Sequence, residues 1–356
     1  MTALVKLDRI GGRTAFRVAK PPVSGMLRPR LLLVNAVLTV LVLLVFCYGM
    51  TIGDYPLSLG EVVSAVFGTG DGGALFVVRE LRLPRALVGL LAGAAFGMSG
   101  AIFQTMTRNA LASPDMIGIN AGAATAVVGG IVLGVGAGLS TQALGLAGGL
   151  VGALVIYLLA WNRGTTGYRI ILVGIGVSSI YISATDYLLT KAEIYQAQEA
   201  MGWLIGSLNN RGWEQARPLA LGLAVLAPAS LLLSRWMRIL QLGDETAKGL
   251  GIPVQRARLV LMLAGVLLVA LATAAAGPVL FVSLVAPQIA QRLVGLAWPP
   301  LTASALTGSL VLLGSDLIGR NIMPDTQLPV GVVTGVLGAP ILLWLLGRAN
   351  RSGQGG

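Results

Sequence analysis

Uncharged apolar runs recur along the chain, separated by short segments rich in charge, glycine or proline. About 20 such residues suffice for a helix to cross the hydrocarbon core of a bilayer, so the runs are counted as crossings. Leu31 to Gly53 is the first and Ala86 to Thr107 the second. Met116 to Asn162 carries no charge; as one helix it would be roughly 70 Å long, about twice what a membrane needs. It must fold back, which the Gly134–Gln142 stretch suits, giving helices three and four. Arg169 to Thr190, interrupted by Asp186, is the fifth, and Pro218 to Ser234 the sixth. Leu259 to Gln291 divides near Gly277-Pro278, because proline lacks the amide hydrogen and disfavours helix in the residue before it. That makes helices seven and eight. The ninth runs from Leu301, after the Trp298-Pro299-Pro300 break, to Ile318, and the tenth from Leu328 to Leu346. The pattern predicts an all-α integral membrane protein with ten transmembrane helices.

Ten crossings put both termini on one side. The first 30 residues hold Lys6, Arg9, Arg13, Arg17, Lys20, Arg28 and Arg30 against one acid, Asp8, which marks that side as cytoplasmic. The loop between helices six and seven then also lies inside, with Arg235, Arg238, Lys248, Arg256 and Arg258, as do Arg163 and Arg348. The expected organisation is a basic cytoplasmic tail over residues 1–30, a membrane domain over 31–347 with a cytoplasmic loop at 237–257, and a tail at 348–356.

Composition supports this and removes alternatives. Of 356 residues 55% are hydrophobic and 11% charged, against roughly 25% charged in a soluble domain. A mean hydropathy of +0.83 leaves no room for a large soluble domain. The net charge of +11 reads as loops held inside, because no basic stripe interleaved with aromatics suggests nucleic acid. The absence of histidine and a single cysteine, Cys47, exclude zinc clusters, a Ser-His or Cys-His pair and an internal disulfide, so no catalytic or metal-binding residue is expected. No GxxxxGK[ST] phosphate loop exists, so the chain does not bind ATP by that device.

An echo links the two halves. Residues 87–93 read LVGLLAG and residues 259–265 read LVLMLAG, matching at five of seven places. The copies open helices two and seven, five crossings apart, so an internal repeat would be inverted, a transporter arrangement. Gly93, Gly97 and Gly100 have the spacing of a helix contact face.

Two loops carry candidate chemistry. RNALASPD (108–115) is a short turn in which Asn109 and Pro114 stop the helix and Asp115 can cap the next one or favourably charge its start, a plain loop being the blander reading. In the loop between helices six and seven, helix formers from Asp244 to Lys248, closed by Gly249 and Gly251, predict a short helix on the cytoplasmic face, large enough to dock a partner. These segments, with RLPR (82–85), RNALASPDMIGINAGAA, LGDETAKGLGIP, GPVLFVSLVAPQIAQRLVG (277–295), SDLIGR (315–320) and LPVGVVTGVLGAPILLWLL (328–346), resemble FecCD-type permease subunits of ABC importers for iron-siderophores, haem and cobalamin. Ala110, Gln288, Gln291 and Gln327 depart from residues usual in that family.

The resemblance implies a ten-helix permease in a bacterial inner membrane that works by alternating access. Its partners would be a second permease, the same or homologous, a cytoplasmic ATP-binding subunit that consumes the ATP, and an extracytoplasmic substrate-binding protein. The chain would be no enzyme, hold no cofactor and contact only lipid besides these proteins. The resemblance assigns ATPase coupling to Asp244, Glu245, Ala247, Leu250 and Gly251, where the blander reading is a solvated linker. It assigns binding-protein docking to Arg82, Arg85 and Arg320, which fall outside by the count; snorkelling anchors at helix ends are the plainer reading, and Asp316 lies four residues before Arg320. An iron-siderophore is the expected cargo. Haem or cobalamin, or ion-coupled transport through Asp186 and Asp316, are the alternatives; a membrane-embedded enzyme is disfavoured by the missing histidine and paired acids.

Overall fold

The computed structural model describes residues 5–10, 13–18, 23–26, 28–134, 140–161, 167–323 and 326–353. An antiparallel meander opens the chain: β1 (Val5–Ile10), β2 (Arg13–Val18) and β3 (Val23–Met26), with Val5 opposite Val18 and Ala15 opposite Met26. The basic residues of this segment hid the pairing, since the span count treats residues 1–30 only as a tail. Everything described after it is helical or connecting.

Helix α1 (Pro29–Thr51) starts at a proline, whose fixed φ suits the first turn. Two short helices follow, α2 (Leu59–Val66) and α3 (Gly72–Phe76), each with an oxygen-bearing cap, Ser58 and Asp71. A π-helical turn at Val77–Arg82 joins α3 to α4 (Leu83–Thr107), so that Gly72–Thr107 is one helical rod of 36 residues. Beyond a short 3₁₀ turn at Pro114–Ile117 come α5 (Ile119–Leu133), α6 (Thr141–Ala160) and α7 (Gly167–Lys191). The expected reversal at Gly134–Gln142 is bracketed by α5 and α6, although residues 135–139 lie outside the described residues. Then follow α8 (Ile194–Leu204), α9 (Trp213–Leu240), α10 (Asp244–Gly249), α11 (Val254–Ala276), α12 (Val282–Val294), α13 (Leu301–Asn321) and α14 (Val330–Gly353).

Every predicted crossing coincides with a helix, but the helices are unequal. Among the described residues seven are long and apolar enough to cross a membrane: α1, the rod ending in α4, α6, α7, α9, α11 and α13. The apolar α5 and residues 330–344 of α14 are shorter, and α12 has 13 residues. The chain also forms α2, α3 and α8, which hydropathy does not signal because they are too short to cross.

Two helices form the centre. Of the apolar windows in α4 and α11, 78% and 72% of residues are buried, against 11% in α1. Small residues permit this. A Cβ on Gly93 would strike the Gly308 carbonyl, one on Gly97 the Ser304 carbonyl and one on Gly100 the Ser283 carbonyl, so α4 lies backbone-to-backbone on α13 and α12. The contact face predicted from glycine spacing is real. Between α11 and α12 the chain is not helical: Gly277 (φ +79°) ends α11, and Phe281 (φ +67°) precedes α12. Its first residues, Gly277 to Val279, are buried, with Gly206 against Pro278 and Ser207 N–H donating to the Ala276 carbonyl at 2.9 Å, while Leu280 stands exposed. Enclosure is what lets a non-helical backbone persist within an apolar fold. Outside, leucines and isoleucines such as Leu33, Leu158, Ile180, Leu232 and Leu343 stand exposed. Such a surface is unfavourable in water and neutral in lipid.

Candidate functional site

Two charged clusters sit at opposite ends of α4. From Arg85 near its start to Arg108 just past its end is about 35 Å at helical rise.

The first cluster is built on α10. Gly243 (φ +107°) turns the chain out of α9, and Gly251 (φ +79°) closes α10, its N–H donating to the Lys248 carbonyl at 2.9 Å. A non-glycine residue at either place would be strained. Ala247 is fully buried and seats the helix. Asp244 accepts from Arg108 Nη2 at 2.7 Å and from Arg258 Nη2 at 2.9 Å, tying α10 to the end of α4 and the start of α11. Glu245 and Lys248 pair along the exposed face at 2.9 Å, and Leu250 is 60% exposed. The five residues named from sequence thus divide: Asp244 and Ala247 anchor the helix, Gly251 shapes its exit, and Glu245 and Leu250 present outward. Arg108 and Arg258 complete the set. The sequence held no sign of their role, since Asp244 and Arg108 are 136 residues apart.

The second cluster centres on Asp316 of α13, which is 4% exposed. Arg85 donates to its Oδ1 at 2.8 Å, and Arg320, one turn later, to its Oδ2. Arg85 also reaches Asn209 Oδ1 at 2.6 Å and Gln327 Oε1 at 2.9 Å. Arg82 lies apart from the carboxylate: its Nη1 donates to the Met50 carbonyl at 2.8 Å and its Nη2 to the Tyr55 carbonyl at 2.6 Å. The three arginines named from sequence therefore share one recess of about 600 Å³, which Arg211, Asp54 and Glu80 also line. Four cationic side chains against two acidic ones leave the recess positive. Asp316 does take Arg320, as the four-residue spacing allowed. Asp186, by contrast, is exposed on α7 and joins neither cluster.

A polar cluster that sequence reading missed joins the halves. Asp115 does not cap α5, whose N-terminal residue Gly118 gives no side-chain cap. Its carboxylate instead accepts from Asn120 Nδ2 at 2.6 Å and Ser283 Oγ at 2.5 Å, and Thr273 Oγ1 donates to Asn120 Oδ1 at 2.8 Å. The connection before α5 is thus bound to α11 and α12. Gln104 of α4 adds a second tie, donating to the Leu284 carbonyl at 2.9 Å and accepting from Gln288 at 2.6 Å. No group of three or more potential metal ligands occurs among the described residues.

Residues 41–348 match the FecCD transport family. The chain is 44% identical to the ferric enterobactin transport system permease protein FepG of Escherichia coli over 305 residues, 85% of this chain and 92% of that protein. It is 36% identical to the iron(3+)-hydroxamate import system permease protein FhuG of Bacillus subtilis, over 90% of this chain and 98% of that one. A solved chain in an inward-facing conformation, assigned as a metal-chelate type ABC transporter, superposes with a TM-score of 0.79 at 25% identity, over 88% of this chain and 98% of that one.

Proposed function

Since the chain belongs to the FecCD transport family, we propose that it is the permease subunit of an ABC importer that carries an iron-siderophore inward across the bacterial inner membrane. The carrying observation is the match over residues 41–348 together with relatives named for ferric enterobactin and iron(3+)-hydroxamate. Seven long apolar helices and a lipid-compatible surface support a multi-pass membrane protein. In this reading α5, α12 and α14 complete ten crossings, both termini face the cytoplasm, and α10 lies inside with the Arg82, Arg85 and Arg320 recess outside. The pairing of each central helix, α4 and α11, with a following short helix, α5 and α12, supports an inverted repeat.

Glu245 and Leu250 form the face on which a cytoplasmic ATPase docks, and Asp244 passes its movement to α4 and α11 through Arg108 and Arg258. At the other end the positive recess meets carboxylates of an extracytoplasmic binding protein; one that displaced Asp316 would engage Arg85 and Arg320 without leaving either unpaired. A second permease, the same or homologous, completes the path. The chain supplies no covalent chemistry and holds no cofactor; ATP is consumed by the partner. Haem or cobalamin would use the same machinery. Ion coupling through Asp186 and Asp316 is the weaker alternative, because two arginines neutralise Asp316 and Asp186 stands apart.

The test is transport in cells with the binding protein and ATPase present. Uptake of an iron-siderophore should survive collapse of the ion gradient and fail without ATP hydrolysis. Gly251→Trp should abolish uptake and ATPase co-purification while the chain still inserts; normal uptake by that variant would refute docking on α10.

A further inference from the structure

A groove opens where the start of α1, the end of α9 and the α12–α13 connection meet, with a volume of about 200 Å³. We infer that it binds one anionic phospholipid, with the phosphate between Arg28 and Arg238 and the acyl chains along Leu31 and Leu231. The twelve residues lining it include those two arginines and no acid. Among the described residues no carboxylate lies within ion-pair distance of Arg238. Arg28 stacks 4.8 Å above the centre of the Trp298 ring, and this cation–π contact holds its charge at the rim of the groove.

The wall beside Trp298 is Pro299-Pro300, both buried and both without an N–H, so an anion here is met by side chains. Thr302 contributes a hydroxyl. Its Oγ1 accepts from Asn35 Nδ2 at 3.0 Å, which leaves the hydroxyl proton to donate. Leu231 is 41% exposed at the outer edge and gives an acyl chain an apolar track towards the lipid. A tryptophan, two arginines and an apolar channel together match the interface level of a membrane and the chemistry of a phosphate headgroup with its tails. The inference rests on the proposed orientation, which puts this groove at the cytoplasmic leaflet, where anionic lipids concentrate. It does not depend on the cargo.

The experiment uses the full-length chain, purified in mild detergent, stripped of lipid and titrated with phosphatidylglycerol or phosphatidylcholine, with bound lipid read by native mass spectrometry. Phosphatidylglycerol should bind at least tenfold tighter than phosphatidylcholine. The preference should fall about fivefold for each arginine removed in Arg28→Gln and Arg238→Gln, whereas Arg238→Lys should keep most of it. In the unmodified chain the preference should shrink as salt rises, a readout that does not depend on any variant folding. Equal binding of the two lipids overturns the proposal, as does an undiminished preference in the folded double variant. Displacement of phosphatidylglycerol by millimolar inorganic phosphate would also overturn it, by showing a site for a free anion. Uptake is not measured, so a failure here is distinct from a wrong cargo.

Discussion

Asp316 shows how one side chain fixes several others. Two guanidinium groups share a carboxylate that is 4% exposed, and removing the negative charge leaves both without their counter-ion. Breaking a buried pair in this way costs about 3–5 kcal/mol. Asp316→Asn should therefore lower stability by that order in unfolding of the detergent-solubilised chain, while Asp186→Asn, on an exposed site, should leave it unchanged. Asp115 offers a pH-dependent case. Burial pushes its carboxyl up from 3.8 to about 6, against the opposing hydrogen bonds from Ser283 and Asn120. Between those two values the folded chain keeps a proton that the unfolded chain has released. Stability should thus fall as pH rises through that window, by no more than about 3 kcal/mol. Asp115→Asn should flatten this part of the profile, as read by thermal unfolding from pH 4 to pH 7.

Helix packing depends on a few backbone contacts. Gly100 meets the Ser283 carbonyl and the Pro287 ring, and neither backbone nor a proline ring can step aside as a flexible side chain could. Gly100→Leu should prevent α4 from seating on α12, and the chain should be lost to degradation or elute as aggregate. Gly176→Ala is the control, because nothing lies within 4 Å of a Cβ there. Glycine spacing alone identified the α4 contact face. It could not say that α13 and α12 would occupy it, because small residues permit close approach by any partner.

At the scale of the whole molecule, α4 spans from one charged cluster to the other, a rigid connection between the two surfaces proposed for docking. Replacing Arg82 and Arg85 by glutamate should weaken binding-protein association at least tenfold and leave ATPase co-purification intact, if the proposed docking is correct. Unchanged affinity, measured with the purified binding protein, would remove these arginines from the interface. Arg82 is buried and donates to the Met50 and Tyr55 carbonyls, and Arg85 belongs to the Asp316 network, so thermal unfolding of each single variant, measured beside its affinity, separates docking from folding.

Hydropathy determined the positions of the ten predicted helices, because the cost of exposing polar backbone and side chains in lipid acts on each segment separately. It also gave the short helix at Asp244–Gly249, whose formers and closing glycines are local signals. Family motifs carried the transport reading, and they are contiguous strings. What sequence left undecided are relations between distant residues: Asp244 with Arg108, Arg85 with Asp316, Asp115 with Ser283. Each partner is a common residue type whose choice depends on which helices meet. The break between α11 and α12 was readable at Gly277-Pro278, but the tertiary structure alone decided that Ser207 and Gly206 would pack against it, because a buried backbone finds its hydrogen bonds in neighbouring segments that no linear pattern names.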